Sequence, residues 1–450
     1  MRRGVAVLLF LLLIVGCGGA SGSSTTHAHS SVTTGSAPPA TTSAPAASGA
    51  WTTFGGSASR SGIVAGAPAH PKLRRRFARS VDGQVYAQPL IAAGRIYIAT
   101  ESNTVYAFTT GGRQLWKRHF GAPVPGGDLP CGNIDPSGIT GTPVIANGRL
   151  FVVAFLRNGH KHVLYGLGLG SGHIAVRANV DTADRLVEQQ RGALLAAGGR
   201  VYIPYGGLFG DCGPYHGYVV STTTGGGHRI SFRDPASMAG IWAPAGISRQ
   251  GNSLLVSTGN GGTGTVGYEN AVIRLSMGLH RKSWWAPTDW RSLSAGDVDE
   301  SSLAPLPVSG GRVFQIGKDG VGYVLRASLG GVGGEQFRQR LCAGGAFGAD
   351  AFRAPLALVP CGGALYGLRI QSSGFSVAWH SSAGAMVPVI AGDSTFALTR
   401  DGTLVQLRLS NGSQVASVRV GGGATSFPAP AAAGSTLVAP AGSGFVVFAI

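Results

Sequence analysis

Residues 84–120 alternate apolar and polar side chains at a period of two, and the alternation breaks at Ala93-Gly94, Ser102-Asn103 and Thr110-Gly111-Gly112. Alternation of this kind predicts half-buried strands, and breaks rich in glycine and asparagine predict the turns between them. The stretch is expected to form four short antiparallel strands, one complete sheet. The pattern then returns. Thr142-Pro-Val-Ile-Ala-Asn-Gly148-Arg-Leu-Phe151 matches Gln88-Pro-Leu-Ile-Ala-Ala-Gly94-Arg-Ile-Tyr97 position for position, and weaker copies follow at residues 192–202, 243–256, 304–314, 387–396 and 428–437. A four-stranded unit that recurs every roughly 40 to 50 residues is the signature of a β-propeller.

Units begin near Val85, Ile139, Arg191, Trp242, Ser302, Phe347, Met386 and Ser426, which predicts an all-β fold, a single propeller of about eight four-stranded blades. Residues 73–80 read as a spare strand ahead of the first full unit, while the last unit supplies only three strands. The spare strand is therefore expected to complete the last blade and remove the open edge between the chain ends. Asp319-Gly320 and Asp401-Gly402, each between apolar runs, predict hairpins with positive φ at both turn residues.

The segment before the repeats has another character. Arg2-Arg3 precedes an apolar run over residues 5–15, too short for the roughly 20 residues a spanning helix needs, so residues 1–16 read as an export signal. The run ends in Ile14-Val15-Gly16-Cys17, which resembles the lipobox of bacterial lipoproteins, where cleavage leaves a lipid-bearing cysteine. Residues 17–50 are Ser, Thr, Ala, Pro and Gly without apolar periodicity, which predicts a tether, and residues 51–450 carry the propeller. The expectation is export and attachment to the membrane through Cys17, with the protein facing the extracytoplasmic side.

Charge narrows the partners. With 36 Lys and Arg against 19 Asp and Glu the formal net charge is +17, which favours anionic surfaces and polymers. The one tight basic run, Arg74-Arg75-Arg76, has no aromatic ladder beside it, so nucleic acid is not expected. Beyond Cys17, the even set Cys131, Cys212, Cys342 and Cys361 points to disulfides in an exported chain, and of three possible pairings we expect Cys131–Cys212 and Cys342–Cys361. Zinc is not expected, because no Cys-x-x-Cys or Cys-x-x-His spacing occurs.

Other motifs reduce to framework. Gly262-Thr-Gly264-Thr-Val-Gly267 fits a phosphate-binding fingerprint, but a strand-like run follows it instead of a helix. His160-Lys-His162 follows Asn158-Gly159 and reads as an exposed hairpin tip. No G-x-S-x-G elbow and no H-E-x-x-H occurs. Trp116, Trp242, Trp284, Trp285 and Trp379 are expected to fill gaps between blades.

The Pro-(Leu/Val)-Ile-Ala-x-Gly-Arg core, Tyr106-Ala107-Phe108 followed by Gly111-Gly112-Arg-Gln-Leu-Trp116, and Gly317-Lys-Asp-Gly320 with Tyr323-Val-Leu325 resemble the lipoproteins with a pyrroloquinoline-quinone-like propeller. That family includes quinoprotein dehydrogenases and the propeller lipoprotein of the Gram-negative outer-membrane barrel assembly machinery. The resemblance covers residues 51–450 and specifies fold better than activity. A dehydrogenase would imply pyrroloquinoline quinone, a calcium ion held by oxygens, and adjacent cysteines beneath the quinone. Asn260 in Ser257-Thr-Gly-Asn260, with Asp297 and Asp299 in Gly296-Asp-Val-Asp-Glu300, look like part of such a site, but adjacent cysteines are absent and the full set of 6 to 8 oxygen ligands is not found. The expectation is a non-enzymatic, monomeric binding or scaffold propeller without cofactor, whose partner is an envelope protein or an anionic cell-wall polymer. The alternative is a quinone-dependent oxidoreductase.

Overall fold

The computed structural model describes residues 49–262, 267–421, 427 and 429–450. Cys17, the export signal, nearly all of the tether and the centre of the Gly262–Gly267 motif lie outside them.

Strands form where the alternation places them. The unit over residues 84–120 becomes Leu90–Ala92, Arg95–Thr100, Thr104–Thr109 and Gln114–His119, paired in that order. Seven further sheets follow the same antiparallel meander, over residues 144–179, 195–237, 248–286, 306–340, 351–381, 389–419 and 431–449, so the propeller has eight blades, numbered in chain order. The last blade holds Ala431–Ala433, Thr436–Pro440 and Gly444–Ala449, and Arg74–Ser80 from the start of the chain pairs with the third of these as its outer strand. The ring is closed as the strand count predicts.

A device not visible in the alternation recurs around the ring. In seven blades the register between third and outer strand slips by one residue at the same place. Such a bulge bends the outer strand and sharpens its twist. The residue beyond the slip turns toward the next blade, where a turn glycine receives it: Trp116 lies under Gly172, Phe337 under Gly374 and Phe77 under Gly112. Trp116 also donates its indole N–H to Leu169 O of the next blade at 3.1 Å, and Trp379 donates to Leu409 O at 3.0 Å. These two tryptophans therefore seal joints between blades.

Two local expectations need correction. His162 is not exposed: strand alternation turns it inward, 1% accessible, with its ring stacked 4.1 Å from Phe155. Burial drives its imidazole down to about 3, so it is neutral. In the Asp-Gly turns only the glycines are left-handed, Gly320 at φ 70° and Gly402 at φ 80°, because these turns are longer than two-residue hairpins.

The axis of the ring is filled by the chain itself. Residues 51–65 run around the inside of the inner strands. Trp51 bridges Ile91 in blade 1, Ile145 donates to Thr52 O in blade 2, and Arg249 donates to Ala58 O in blade 4. Further round, Phe352 donates to Ser61 O and Ile390 to Gly62 O. Phe54 sits on the axis among Ala193, Ala243, Ala245, Ala304, Ala349 and Ala429, small side chains that leave room for one ring. Arg60, 2% accessible, locks this segment: its guanidinium donates to Ile247 O at 2.9 Å, Leu194 O at 3.0 Å, Phe54 O at 3.1 Å and Thr53 Oγ1 at 2.5 Å. Burial lowers Arg60 to about 9, still charged at neutral pH, and the four acceptors satisfy the donors that burial strips of water.

Candidate functional site at the channel mouth

An up-and-down blade puts the second–third turn and the link to the next blade on one face of the ring, and the other two turns on the opposite face. We call them the connection face and the hairpin face. The longest excursions occur on the connection face, so side chains that vary between repeats gather there.

Tyr86, Thr140, Arg191, Phe347 and Phe427 each stand four residues before an inner strand. That shared repeat position aims them at the axis. The Arg191 guanidinium lies 5.0 Å from the Phe427 ring centroid and 5.9 Å from that of Trp242. Lys318 Nζ is 5.8 Å from Trp242, Arg400 is 5.8 Å from Phe347, and Phe347 and Phe427 stack at 6.3 Å. Burial lowers Arg191 to about 10, opposed by Tyr86 and Glu101, so it stays cationic. Three cations over aromatic faces make a mouth suited to carboxylates, phosphates or polar planar groups. Burial pushes Glu101 up to about 7, although its carboxylate accepts from Gly138 N at 2.6 Å and Thr140 Oγ1 at 3.1 Å.

The residues singled out for calcium do come together. Asn260 N donates to Asp299 Oδ1 at 2.8 Å, and Gly259 admits that contact because a Cβ there would strike the same oxygen. Asp297 and Asp299 converge on one cation, Lys318, whose Nζ is 3.0 Å from Asp297 Oδ1 and 2.5 Å from Asp299 Oδ2. Burial opposes the charge on Lys318, and the two carboxylates outweigh it, so the ammonium is held above its ordinary value. Behind them Glu300 is wholly buried beside Asp319; burial and that neighbouring carboxylate raise it well above the usual range.

Cysteines brace this face. Cys131, in the link from blade 1 to blade 2, is bonded to Cys212 in the second–third turn of blade 3, with Cα atoms 6.0 Å apart. Cys342 is bonded to Cys361, Cα atoms 5.9 Å apart, beside a cleft of about 710 Å³ between blades 6 and 7 whose inner end holds Phe347, Met386 and Arg400. Under blade 3, Glu188 accepts from Thr182 Oγ1 and lies 3.3 Å from His216 N, and burial lifts it to about 8.

The family model described as outer membrane protein assembly factor BamB matches residues 60–266. No curated protein sequence matches the chain. Among solved structures, quinohemoprotein alcohol dehydrogenase ADHIIG from Pseudomonas putida HK5 is similar with a TM-score of 0.68 at 14% identity, over 89% of this chain and 80% of that one. What the chain shares with it is the fold, a propeller of four-stranded blades. A europium-containing methanol dehydrogenase matches with a TM-score of 0.67 at 13% identity, over 89% of this chain and 98% of that one. BamB from Moraxella catarrhalis matches with a TM-score of 0.59 at 13% identity, over 84% and 98%. Dehydrogenases and an assembly factor thus share this propeller, and at such identities the likeness is one of fold alone.

Whether a pyrroloquinoline-quinone-like propeller can hold the quinone and calcium depends on space and donors at its mouth. Here the cavity lined by Phe54, Tyr86, Thr140, Arg191, Pro244 and Phe427 measures about 20 Å³, whereas pockets for organic ligands run to roughly 300–1,000 Å³. The carboxylates a calcium ion would use are taken by Lys318, and no group of three carboxylate, imidazole or thiolate side chains among the described residues is placed to hold a metal. The axial cavity is too small for the quinone, and the larger cleft between blades 6 and 7 presents a single carboxylate, Asp401, so the described residues do not fit the cofactor pair.

Proposed function

We propose that the protein is a non-enzymatic, membrane-tethered propeller whose connection face recognises a partner in the cell envelope. The observation that carries this reading is the filled axis: Phe54 and Arg60 occupy it, and the axial cavity above them measures about 20 Å³. What the face offers instead is recognition chemistry, with Arg191, Lys318 and Arg400 fixed over aromatic rings on loops braced by two disulfides. Such a surface suits acidic segments of an envelope protein or a phosphate-bearing wall polymer. The assembly factor that shares the fold makes outer-membrane assembly one form of this reading. Lipid on Cys17 would tether the ring, and residues 18–48 would let it search near the membrane.

Oxidoreductase activity is the second reading, favoured by the convergence of Asn260, Asp297 and Asp299. Photoreactive side chains placed at Phe347 on the connection face and at Ala93 on the hairpin face separate a specific partner from random capture in intact envelopes. We expect a discrete adduct from Phe347, lost when Arg191 and Arg400 become Gln. No adduct, or the same adducts from Ala93, would remove the proposal.

A further inference from the structure

The two faces differ sharply in charge. Of the 19 acidic residues, Asp393 alone lies in a turn of the hairpin face, where its carboxylate is taken by His70 at 2.7 Å, and Glu335 alone starts a strand that leaves it, where its carboxylate accepts from Trp285 Nε1 at 2.8 Å. Arg113, Arg229, Arg312 and Arg326 occupy turns of that face, and Arg95 and Arg149 start the strands that leave it. The tight basic run belongs to the same side. Arg74 pairs with Ala449, where the third strand of blade 8 reaches the hairpin face, so Arg74, Arg75 and Arg76 stand at that end of the outer strand. They and Lys72 are exposed, no carboxylate among the described residues pairs with them, and the strand's other edge is unpaired. The bulge at Arg76 breaks the alternation there, so three consecutive arginines reach solvent.

The chain arrives at the same place. Gly49, the first described residue, lies beside Gly66, and Ala65 accepts from Gly434 N in the inner turn of blade 8. Gly49 therefore stands on the hairpin face, at the blade that carries the arginines.

We infer that the hairpin face around Lys72, Arg74, Arg75 and Arg76 docks on an anionic bilayer surface, so that the connection face points away from the membrane. The occupant is a sheet of acidic phospholipid headgroups: charge is complementary, and the described chain begins at this edge, the one nearest in sequence to Cys17. The inference rests on the tethered reading above for its setting, but its test does not depend on the lipid or on any envelope partner. Each basic side chain near an anionic surface contributes about 1 kcal/mol, or about fivefold in partitioning, so loss of three should weaken binding about a hundredfold. The competing explanation is that the arginines only deter pairing at an open strand edge.

The chain from residue 17 onward, carrying Cys17→Ser and lacking the apolar run over residues 5–15, would be co-sedimented with vesicles of phosphatidylcholine alone and with about one third phosphatidylglycerol, at low and high salt. We expect binding to the anionic vesicles only, reversed by salt and weakened about a hundredfold by Arg74→Gln, Arg75→Gln and Arg76→Gln together. A control triple, Arg185→Gln, Arg338→Gln and Arg419→Gln, should lose less than about a tenth as much. Equal loss in both triples would reduce the effect to net charge and overturn the inference. Undiminished binding by the first triple, with new self-association, would assign the arginines to edge protection and overturn it too. Both triples change exposed side chains, and circular dichroism confirms that each is folded.

Discussion

If the blades are joined by aromatic side chains seated under turn glycines, a single methyl group at one seat should loosen the ring. Gly172 has φ 66°, and a Cβ there would stand 2.7 Å from Cε3 and 2.8 Å from Cδ2 of Trp116. Trp116 cannot retreat freely, because its indole N–H is tied to Leu169 O at 3.1 Å and its ring lies 6.0 Å from Tyr97. Gly172→Ala therefore meets two costs: about 1–2 kcal/mol for an L-residue in the left-handed region, and about 1–3 kcal/mol for overpacking. Gly94 isolates the first cost, since its φ is 69° and nothing lies within 4 Å of a Cβ built there. We expect Gly172→Ala to destabilise by about 2–5 kcal/mol and Gly94→Ala by about 1–2 kcal/mol. Urea unfolding followed by tryptophan fluorescence reads both as shifts in midpoint at constant slope. Equal shifts for the two variants would refute the idea that ring-on-glycine contacts join the blades.

Two further outcomes follow from buried charge. Arg60→Met should cost about 3–5 kcal/mol, because it removes the cation that satisfies the carbonyls of Leu194, Ile247 and Phe54 and frees the axial segment; limited proteolysis should then cut within residues 51–65, and wild-type resistance would contradict the lock. Glu101 is raised to about 7 by burial, so above its unfolded value of 4.5 the unfolded chain ionises first and stability falls as pH rises through 7. That decline is worth about 3 kcal/mol, and Glu101→Gln should abolish it; an unchanged pH slope in the variant would show that the carboxyl is not held neutral.

The repeat, the blade number and the closing strand were legible because each rests on period-two alternation, which burial of one sheet face enforces. The bulge was not, since a slip of one residue leaves composition and turn spacing untouched. The axial segment was hidden for a different reason: residues 51–65 follow one inner strand after another and show no period, and Arg60 in a run of Ser and Gly reads as a surface residue. His162 was misjudged because Asn158-Gly159 marks the turn correctly while alternation already points the second histidine inward. At the site, Asn260, Asp297 and Asp299 were readable as a set of oxygen donors. Lys318 was not assigned to that set, since it lay within a motif that specifies fold. A signal for Arg191, Phe347 and Phe427 did exist in their common offset from the inner strands, visible only once the strand starts are fixed.

The function proposed for this propeller is to bind and not to oxidise. It is tested most directly by adding pyrroloquinoline quinone and calcium to the purified full-length protein and following an artificial electron acceptor with alcohols as reductants, alongside calorimetry of the quinone. The account predicts no saturable quinone binding and no dye reduction above the protein-free rate, because the axis is filled by Phe54 and Arg60 and the acidic loop is neutralised by Lys318. Stoichiometric quinone binding with calcium-dependent dye reduction would contradict it.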